Sequence, residues 1–171
     1  MKKIIMLALG GVLLAGCSAK YNTASVTKST ELLVKNKTVV VALPENGVYE
    51  TRVYSGSGAA TAQVIQSAFS RYTDSVFTIP GCAELECLKK KRSLSEGYYV
   101  VPQILHWEDR ATEWSGIPDR IEVKITIYNS ATDSVIASSI LSGKSKWATF
   151  GGDHPQDLLP EPINNYVAGL Y

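Results

Sequence analysis

The chain has 171 residues, of which 17 are Lys or Arg and 16 are Asp or Glu, so its formal charge is +1. This length suits one domain with its own hydrophobic core rather than two. Positive and negative residues are interspersed, which excludes the basic footprint of a nucleic-acid-binding protein, and no nucleic acid partner is expected.

The first residues have the layout of a secretory signal peptide. Two lysines precede an apolar run over residues 4–14, and small residues lead up to Cys17. The run is shorter than the roughly 18 to 20 residues that cross a bilayer as a helix, so it is not expected to remain as a membrane span. We therefore expect residues 1–16 to be removed, leaving 155 residues with a charge of −1.

Residues 14–17, Leu-Ala-Gly-Cys, match the lipobox of bacterial lipoproteins. That resemblance implies acylation of Cys17, so that the chain reaches its membrane through lipid and not through a helix. Because Ser18 follows the cysteine where an aspartate would hold the protein at the inner membrane, the resemblance favours the outer membrane, with the domain facing the periplasm. The alternative is an ordinary signal peptide that happens to contain a cysteine.

Few residues after Cys17 could be buried, so residues 17–31 are predicted to be a lipidated N-terminus and flexible tether. A single domain is predicted over residues 32–171. Its first half alternates strands and helices: a β-branched apolar run is typical of a strand buried on both faces, and apolar residues at every fourth position indicate a helix. These elements are a strand over 37–43, a helix in which Ala60, Val64, Ala68 and Tyr72 recur with Ile65 and Phe69 beside them, a strand over 75–79 and an exposed helix over 84–95.

The second half predicts an antiparallel meander and a final helix. Residues 98–105 form another apolar run, residues 121–128 alternate strictly between apolar and polar, and residues 135–141 follow a turn. Apolar residues over 163–170 fall on one helical face behind two prolines. The predicted fold class is therefore α/β, a single-domain mixed sheet of about five strands in the order β-α-β-α-β-β-β-α with helices packed on it.

This order of elements is similar to the small domain at the start of the Tol-Pal periplasmic protein, in the curli secretion lipoprotein and in the lipoprotein activators of peptidoglycan synthases. The similarity concerns element order and implies no function by itself. Cys82 and Cys87 are predicted to form a disulfide, because the exported chain meets an oxidising compartment and four residues between them can close a small loop. A zinc site would need further ligands nearby, which the sequence does not supply.

Two segments concentrate aromatic and charged residues. Residues 106–120 follow a predicted buried strand, and residues 147–162 follow the third strand of the meander. Both lie where strands end, which is where binding residues are often carried. The candidate binding residues are His106, Trp107, Glu108, Asp109, Arg110, Glu113, Trp114, Asp119, Arg120, Trp147, Asp153 and His154.

These segments, together with residues 54–58 and 61–63, resemble the hallmark stretches of a family of small proteobacterial lipoproteins known only as a domain of unknown function. The resemblance covers about residues 39–171. It supports the lipoprotein interpretation and the extent of the domain, but it brings no activity, substrate or catalytic residue.

Three interpretations of the two segments remain open. His106 with Glu108 or Asp109, plus the Asp153-His154 pair, could hold a metal or perform acid-base hydrolysis, although the spacing matches no known catalytic motif. Alternatively, the arginines pair with carboxylates and the tryptophans cover the end of the sheet: Arg110 and Arg120 would face Asp109, Glu113 or Asp119, and the tryptophans are Trp107, Trp114 and Trp147.

The third interpretation is recognition of an envelope protein or a cell-wall glycan, the glycan lying on the flat faces of the three tryptophans. We expect a binding or scaffolding module that is not an enzyme and needs no cofactor or metal. A further segment, residues 56–58, precedes a predicted helix and could present backbone amides to an anion, although an ordinary Ser or Gly helix cap is the simpler interpretation.

Overall fold

The computed structural model describes residues 19–29, 31–110, 116–146 and 154–171. Within these ranges the chain forms a six-stranded mixed sheet, a small two-stranded hairpin, three α-helices and a short 3-10 turn, which confirms the predicted α/β class. The elements are β1 (Lys20–Thr27), β2 (Val39–Ala42), β3 (Val48–Tyr49), β4 (Arg52–Val53), α1 (Ser57–Phe69), β5 (Val76–Ile79), α2 (Leu85–Lys91), β6 (Tyr98–Glu108), β7 (Arg120–Asn129), β8 (Val135–Lys144), the 3-10 turn (Pro155–Leu158) and α3 (Pro160–Ala168).

The strands of the main sheet lie in the order β1-β8-β7-β6-β2-β5. β2 pairs in parallel with β5 and with β6, because α1 and α2 carry the chain back across the sheet between these strands. All four residues of β2 are fully buried, as predicted for a strand covered on both faces. The last three strands form the predicted antiparallel meander, so the sheet changes from parallel to antiparallel at β6.

Helices cover the two faces of the sheet unequally. α1 and α3 lie on one face, where Ile65 and Ile163 pack with the inward side chains of β2, β7 and β8. α2 covers β2 and the first half of β6 on the opposite face, through Leu88. On that second face the strands β7, β8 and β1 carry mostly polar side chains, with Ile140 and Ala24 as apolar exceptions, and apart from the buried pair Thr126 and Ser138 they are exposed or half-buried. The fold therefore has a polar sheet surface beyond α2.

The buried stripe of α1 differs from the predicted one. The structure fully buries Ile65, Ala68 and Phe69, whereas Ala60 and Val64 are only partly buried. α1 contacts α3 as well as the sheet, so its most buried line is turned towards the groove between the two. The α2 helix is also shorter than the predicted span of residues 84–95.

The prediction of a flexible tether over residues 17–31 is wrong for residues 20–27. They form β1, an edge strand that pairs antiparallel with β8, from Lys20 opposite Lys144 to Thr27 opposite Ser138. Seven of its eight residues are exposed, so main-chain hydrogen bonds hold the strand and only Tyr21 packs towards the core. Composition could not reveal a strand that buries so little. The sheet consequently has six strands instead of about five.

The predicted disulfide between Cys82 and Cys87 is confirmed, with 5.4 Å between the two Cα atoms. It closes the connection between β5 and α2, where Cys82 packs beside Leu88. Among the described residues, none of the helices combines the length and apolar character needed to cross a bilayer.

Candidate functional site

The structure describes eight of the twelve candidate binding residues. They lie at and just after the end of β6, at the start of β7 and immediately before the 3-10 turn. The remaining predicted site residues, which lie outside the described ranges, are Cys17, Glu113, Trp114, Trp147 and Asp153.

A β-bulge near the end of β6 determines which way its site residues face. The register shifts between Ile104, which lies opposite Val123, and His106, which lies opposite Glu122. The extra residue lets the strand twist and re-aims the side chains that follow it. Beyond the bulge, His106 and Glu108 lie on the polar face, and Trp107 lies on the face covered by α1 and α3.

Glu108 is the centre of a hydrogen-bonded cluster. Arg110 donates from Nε to Glu108 Oε1 at 2.6 Å, and His106 Nε2 lies 3.0 Å from Glu108 Oε2. The Glu108 side chain is only 7% exposed, whereas those of Arg110 and His106 are 35% and 30% exposed. Two half-buried basic side chains therefore hold a nearly buried carboxylate.

These partners decide the protonation state of Glu108. Burial opposes ionisation of the carboxyl group, but the hydrogen bonds from Arg110 and His106 outweigh it and hold the pKa of Glu108 below its ordinary value. The same hydrogen bond, which Arg110 donates to Glu108, raises the pKa of the Arg110 guanidinium. Glu108 is consequently an anion at neutral pH and is not poised to deliver a proton.

The β3–β4 hairpin supplies a partner that the sequence did not suggest. Tyr49 accepts a hydrogen bond at its hydroxyl from Arg110 Nη2 at 3.0 Å, and its ring lies edge-on to His106 with 5.2 Å between centroids. The hairpin turns through Glu50 at φ 53°, a left-handed conformation that glycine or asparagine usually marks. Without that marker, the sequence carries no turn signal for this hairpin.

Asp119 joins the ends of three strands. It is fully buried, its Oδ1 accepts a 2.6 Å hydrogen bond from the backbone N–H of Arg110, and its own N–H donates to Ser145 Oγ at 2.9 Å. The N–H of Ser145 donates back to the carbonyl of Asp119 at 3.0 Å. Asp119 therefore fixes the ends of β6 and β8 relative to the start of β7, which makes it a structural residue.

The predicted pairing of the arginines needs correction. The side chain of Arg110 bonds to Glu108, which only the metal or acid-base interpretation of the sequence had assigned a role. Within the described ranges, Arg120 forms no ion pair with Asp109 or Asp119, because its side chain lies on the exposed polar face beside β8.

Trp107 does not offer a flat face to a glycan. The indole side chain is 3% exposed and packs in the main core with Ile121, its neighbour on β7. The chain at Gly47 crosses so close that a Cβ there would lie 2.5 Å from Trp107 Cβ. The prediction of glycan stacking is wrong for this tryptophan, which instead supports the floor of the site.

Above Trp107 lies a surface cavity of about 530 Å³. It is lined by Asp109, just after β6, by Gln156 in the 3-10 turn and by the β4 residue Arg52, whose guanidinium lies 4.8 Å from the centroid of the Tyr54 ring. Arg52 and Gln156 are exposed and Asp109 is half-buried. Charged, amide and aromatic groups thus line an open surface cavity.

The two histidines contact different carboxylates. His106 lies against Glu108 on the polar sheet face, and His154 Nδ1 lies 4.0 Å from Asp109 Oδ1 at the margin of the cavity. The backbone of His154 exchanges hydrogen bonds with Asp157, which accepts from the His154 N–H at 2.9 Å. In the part of the chain that the structure describes, no three His, Cys, Asp or Glu side chains gather as metal ligands would.

The amides at the start of α1 already have a partner. Asn46 Oδ1 accepts hydrogen bonds from the N–H groups of Gly56 and Gly58, each at 3.1 Å, and the Ser57 N–H donates to the Tyr54 carbonyl. Gly56 occupies the N-cap position at φ 88°. The structure therefore favours the helix-cap interpretation over anion binding, with the capping oxygen supplied from a distant asparagine.

The family model described as "Domain of unknown function (DUF4823)" matches residues 31–170. The chain belongs to this family. The match spans the described domain from the loop before β2 to the end of α3, so the β1 strand lies outside it. No curated protein matches the sequence.

Solved structures share the fold of this DUF4823 domain. The PelC dodecamer from Paraburkholderia phytofirmans superposes with a TM-score of 0.67 at 12% identity, covering 89% of this chain and 96% of that one. Protein XCC0632 from Xanthomonas campestris gives a TM-score of 0.54 at 15% identity, covering 85% of this chain and 90% of that one. At such identities the similarity establishes a common fold.

Proposed function

We propose that this DUF4823 protein is a lipoprotein of the outer membrane, anchored by acyl chains on Cys17, whose periplasmic domain binds or scaffolds an envelope protein or a cell-wall glycan. The domain does this without catalysing a reaction. The anchor confines the domain to the membrane surface, and a module confined there gains effective concentration towards other envelope components.

The proposal rests on a difference between two groups of residues near the end of β6: one group is held in structural hydrogen bonds, and the other reaches solvent. Glu108 is committed to Arg110 and His106, so the carboxylate that the sequence offered for chemistry serves as a structural anion. By contrast, the groups around the neighbouring cavity, Arg52 and Gln156 among them, reach solvent. A rigid support beneath accessible polar and aromatic groups is what a recognition surface requires.

In vivo photocrosslinking tests this surface. A photoreactive residue is placed at Gln156, on the cavity side, and in a matched strain at Lys90, an exposed α2 residue near the opposite end of the sheet. We expect a discrete adduct from Gln156 and none from Lys90. The adduct should disappear when Arg52→Ala and Asp109→Ala are introduced together, since both side chains line the cavity.

The adduct's mass separates the possible partners. A shift that muramidase digestion removes indicates a cell-wall glycan, whereas a fixed shift indicates a protein. Because PelC is a dodecamer, a shift equal to the chain's own mass must be recognised as a second copy of this chain. Equal adducts from both positions, or an adduct that survives the double substitution, would contradict the proposed surface.

A further inference from the structure

Three cations lie side by side across three strands at one end of the sheet. The registers of β1 with β8 and of β8 with β7 place Lys20 opposite Lys144 and Lys144 opposite Arg120. Directly opposed residues of antiparallel strands share a face, with Cβ atoms about 4.5 to 5.5 Å apart. All three side chains are exposed, and they line one surface groove of about 490 Å³. We call this set the cation row.

The cation row has little nearby negative charge to balance it. Its fourth position is Glu108, opposite Arg120, but that carboxylate is already held by Arg110 and His106. The next row on the same face carries a single carboxylate, Glu122. Within the described residues no ion pair involves Lys20, Lys144 or Arg120. Like charges set opposite one another destabilise a sheet, so an anionic partner would relieve their repulsion.

The position of the row in the chain indicates where that partner lies. Lys20 is three residues after Cys17, and an extended chain spans at most about 3.6 Å per residue, so the row begins within about 11 Å of the proposed lipid attachment point. That distance is close to the Debye length of about 8 to 10 Å at physiological salt. The three cations would then lie within electrostatic reach of phospholipid headgroups.

We propose that the cation row docks the domain on the anionic phospholipid headgroups of the membrane that holds its acyl chains. This inference rests on the proposed acylation of Cys17. Docking turns the polar face of the sheet, at the end where β6 finishes and β7 begins, towards the bilayer. The tethered domain therefore takes a fixed orientation. Each Lys or Arg near an anionic surface contributes about a fivefold preference for the bound state.

The test uses the acylated protein reconstituted into vesicles of phosphatidylcholine, alone or mixed with phosphatidylglycerol. Reductive methylation of Lys20 by formaldehyde with dimethylamine–borane as the hydride donor, both uncharged reagents, is followed by mass spectrometry with Lys90 as the internal reference. We expect Lys20 to react more slowly in the phosphatidylglycerol vesicles at low salt and to lose this protection at about 1 M salt, where the Debye length is about 3 Å.

Two double variants keep Lys20 as the reporter. Arg120→Gln with Lys144→Gln removes two members of the cation row. The ratio of domains docked on the headgroups to undocked domains should then fall about 25-fold. Lys35→Gln with Arg71→Gln removes the same charge from exposed positions at the opposite end of the sheet, near the start of β2, and should preserve the protection.

Two results would overturn the inference. One is equal methylation of Lys20 in both kinds of vesicle, and the other is protection that persists in the Arg120 and Lys144 variant. The mass of the N-terminal peptide in the same sample separates this failure from a failure of the proposed function. An unmodified Cys17 refutes the anchor and the docking together, whereas an acylated Cys17 with lipid-independent methylation refutes the docking alone.

Discussion

Replacing Glu108 with alanine removes the centre of the cluster at the end of β6. The substitution deletes the hydrogen bonds between the Glu108 carboxylate and two side chains, Arg110 at 2.6 Å and His106 at 3.0 Å. A hydrogen bond to a charged group contributes roughly 1.5 to 3 kcal/mol when it is buried. Because the Arg110 and His106 side chains are about one-third exposed and regain water, we expect a loss of about 2 to 3 kcal/mol in the free energy of unfolding.

The loss should depend on pH in a definite direction. The folded protein holds the pKa of Glu108 below the ordinary value of about 4.5, so ionised Glu108 stabilises the fold above that pH. As the pH falls below 4.5 and then through the lowered pKa, the carboxylate is protonated and its contribution disappears. The difference between wild type and Glu108→Ala is therefore full at neutral pH and shrinks in acid.

Urea unfolding at pH 7 and at successive lower pH values measures this difference. The matched control is Glu122→Ala, which removes an exposed carboxylate from the adjacent strand on the same face and should change stability by no more than about 0.5 kcal/mol. A Glu108→Ala effect that equals the control, or one that does not vary with pH, would refute the reasoning.

Three further substitutions test the architecture that supports the site. Gly97→Ala should abolish folding or lower the free energy of unfolding by more than about 3 kcal/mol, because Gly97 lies at φ 135° and an added Cβ would meet the Thr38 carbonyl oxygen at 2.3 Å. A melting temperature within a few degrees of wild type would contradict this. Replacing Cys82 and Cys87 by serine should cost about 2 kcal/mol, as expected for a loop of sequence separation 5, and unchanged stability under oxidising conditions would be incompatible with a contribution of that size. Asn46→Ala should lower the free energy of unfolding, measured by chemical denaturation, by about 1 to 2 kcal/mol, because two amides at the start of α1 lose their acceptor. The neighbouring substitution Glu45→Ala is the control and should leave stability unchanged.

The parts of the fold that bury apolar surface were predictable from the sequence. The apolar run of β2 and the alternation of apolar and polar residues in β7 both indicate which strand faces are buried. A buried face produces a regular spacing of apolar residues in the sequence. β1 left no such trace, since its exposed residues are held by the main chain of β8. The same holds for the β3–β4 hairpin, whose tight turn passes through Glu50 without a glycine.

The candidate site was predictable in location and not in detail. The sequence placed charged and aromatic residues at the end of β6, but the bulge between Ile104 and His106 decides which of them face each other. That shift brings Glu108 to Arg110 and His106 and turns Trp107 into the core. Tyr49 lies far away in sequence, and only the folded hairpin brings it to the guanidinium of Arg110.

We propose that lipid on Cys17 holds the folded domain beside a bilayer. Mass spectrometry of the N-terminal peptide, from protein isolated from the outer membrane, tests it most directly. We expect a peptide that begins at Cys17 and carries acyl chains. A peptide that begins at Met1, or one that bears an unmodified cysteine, would contradict it.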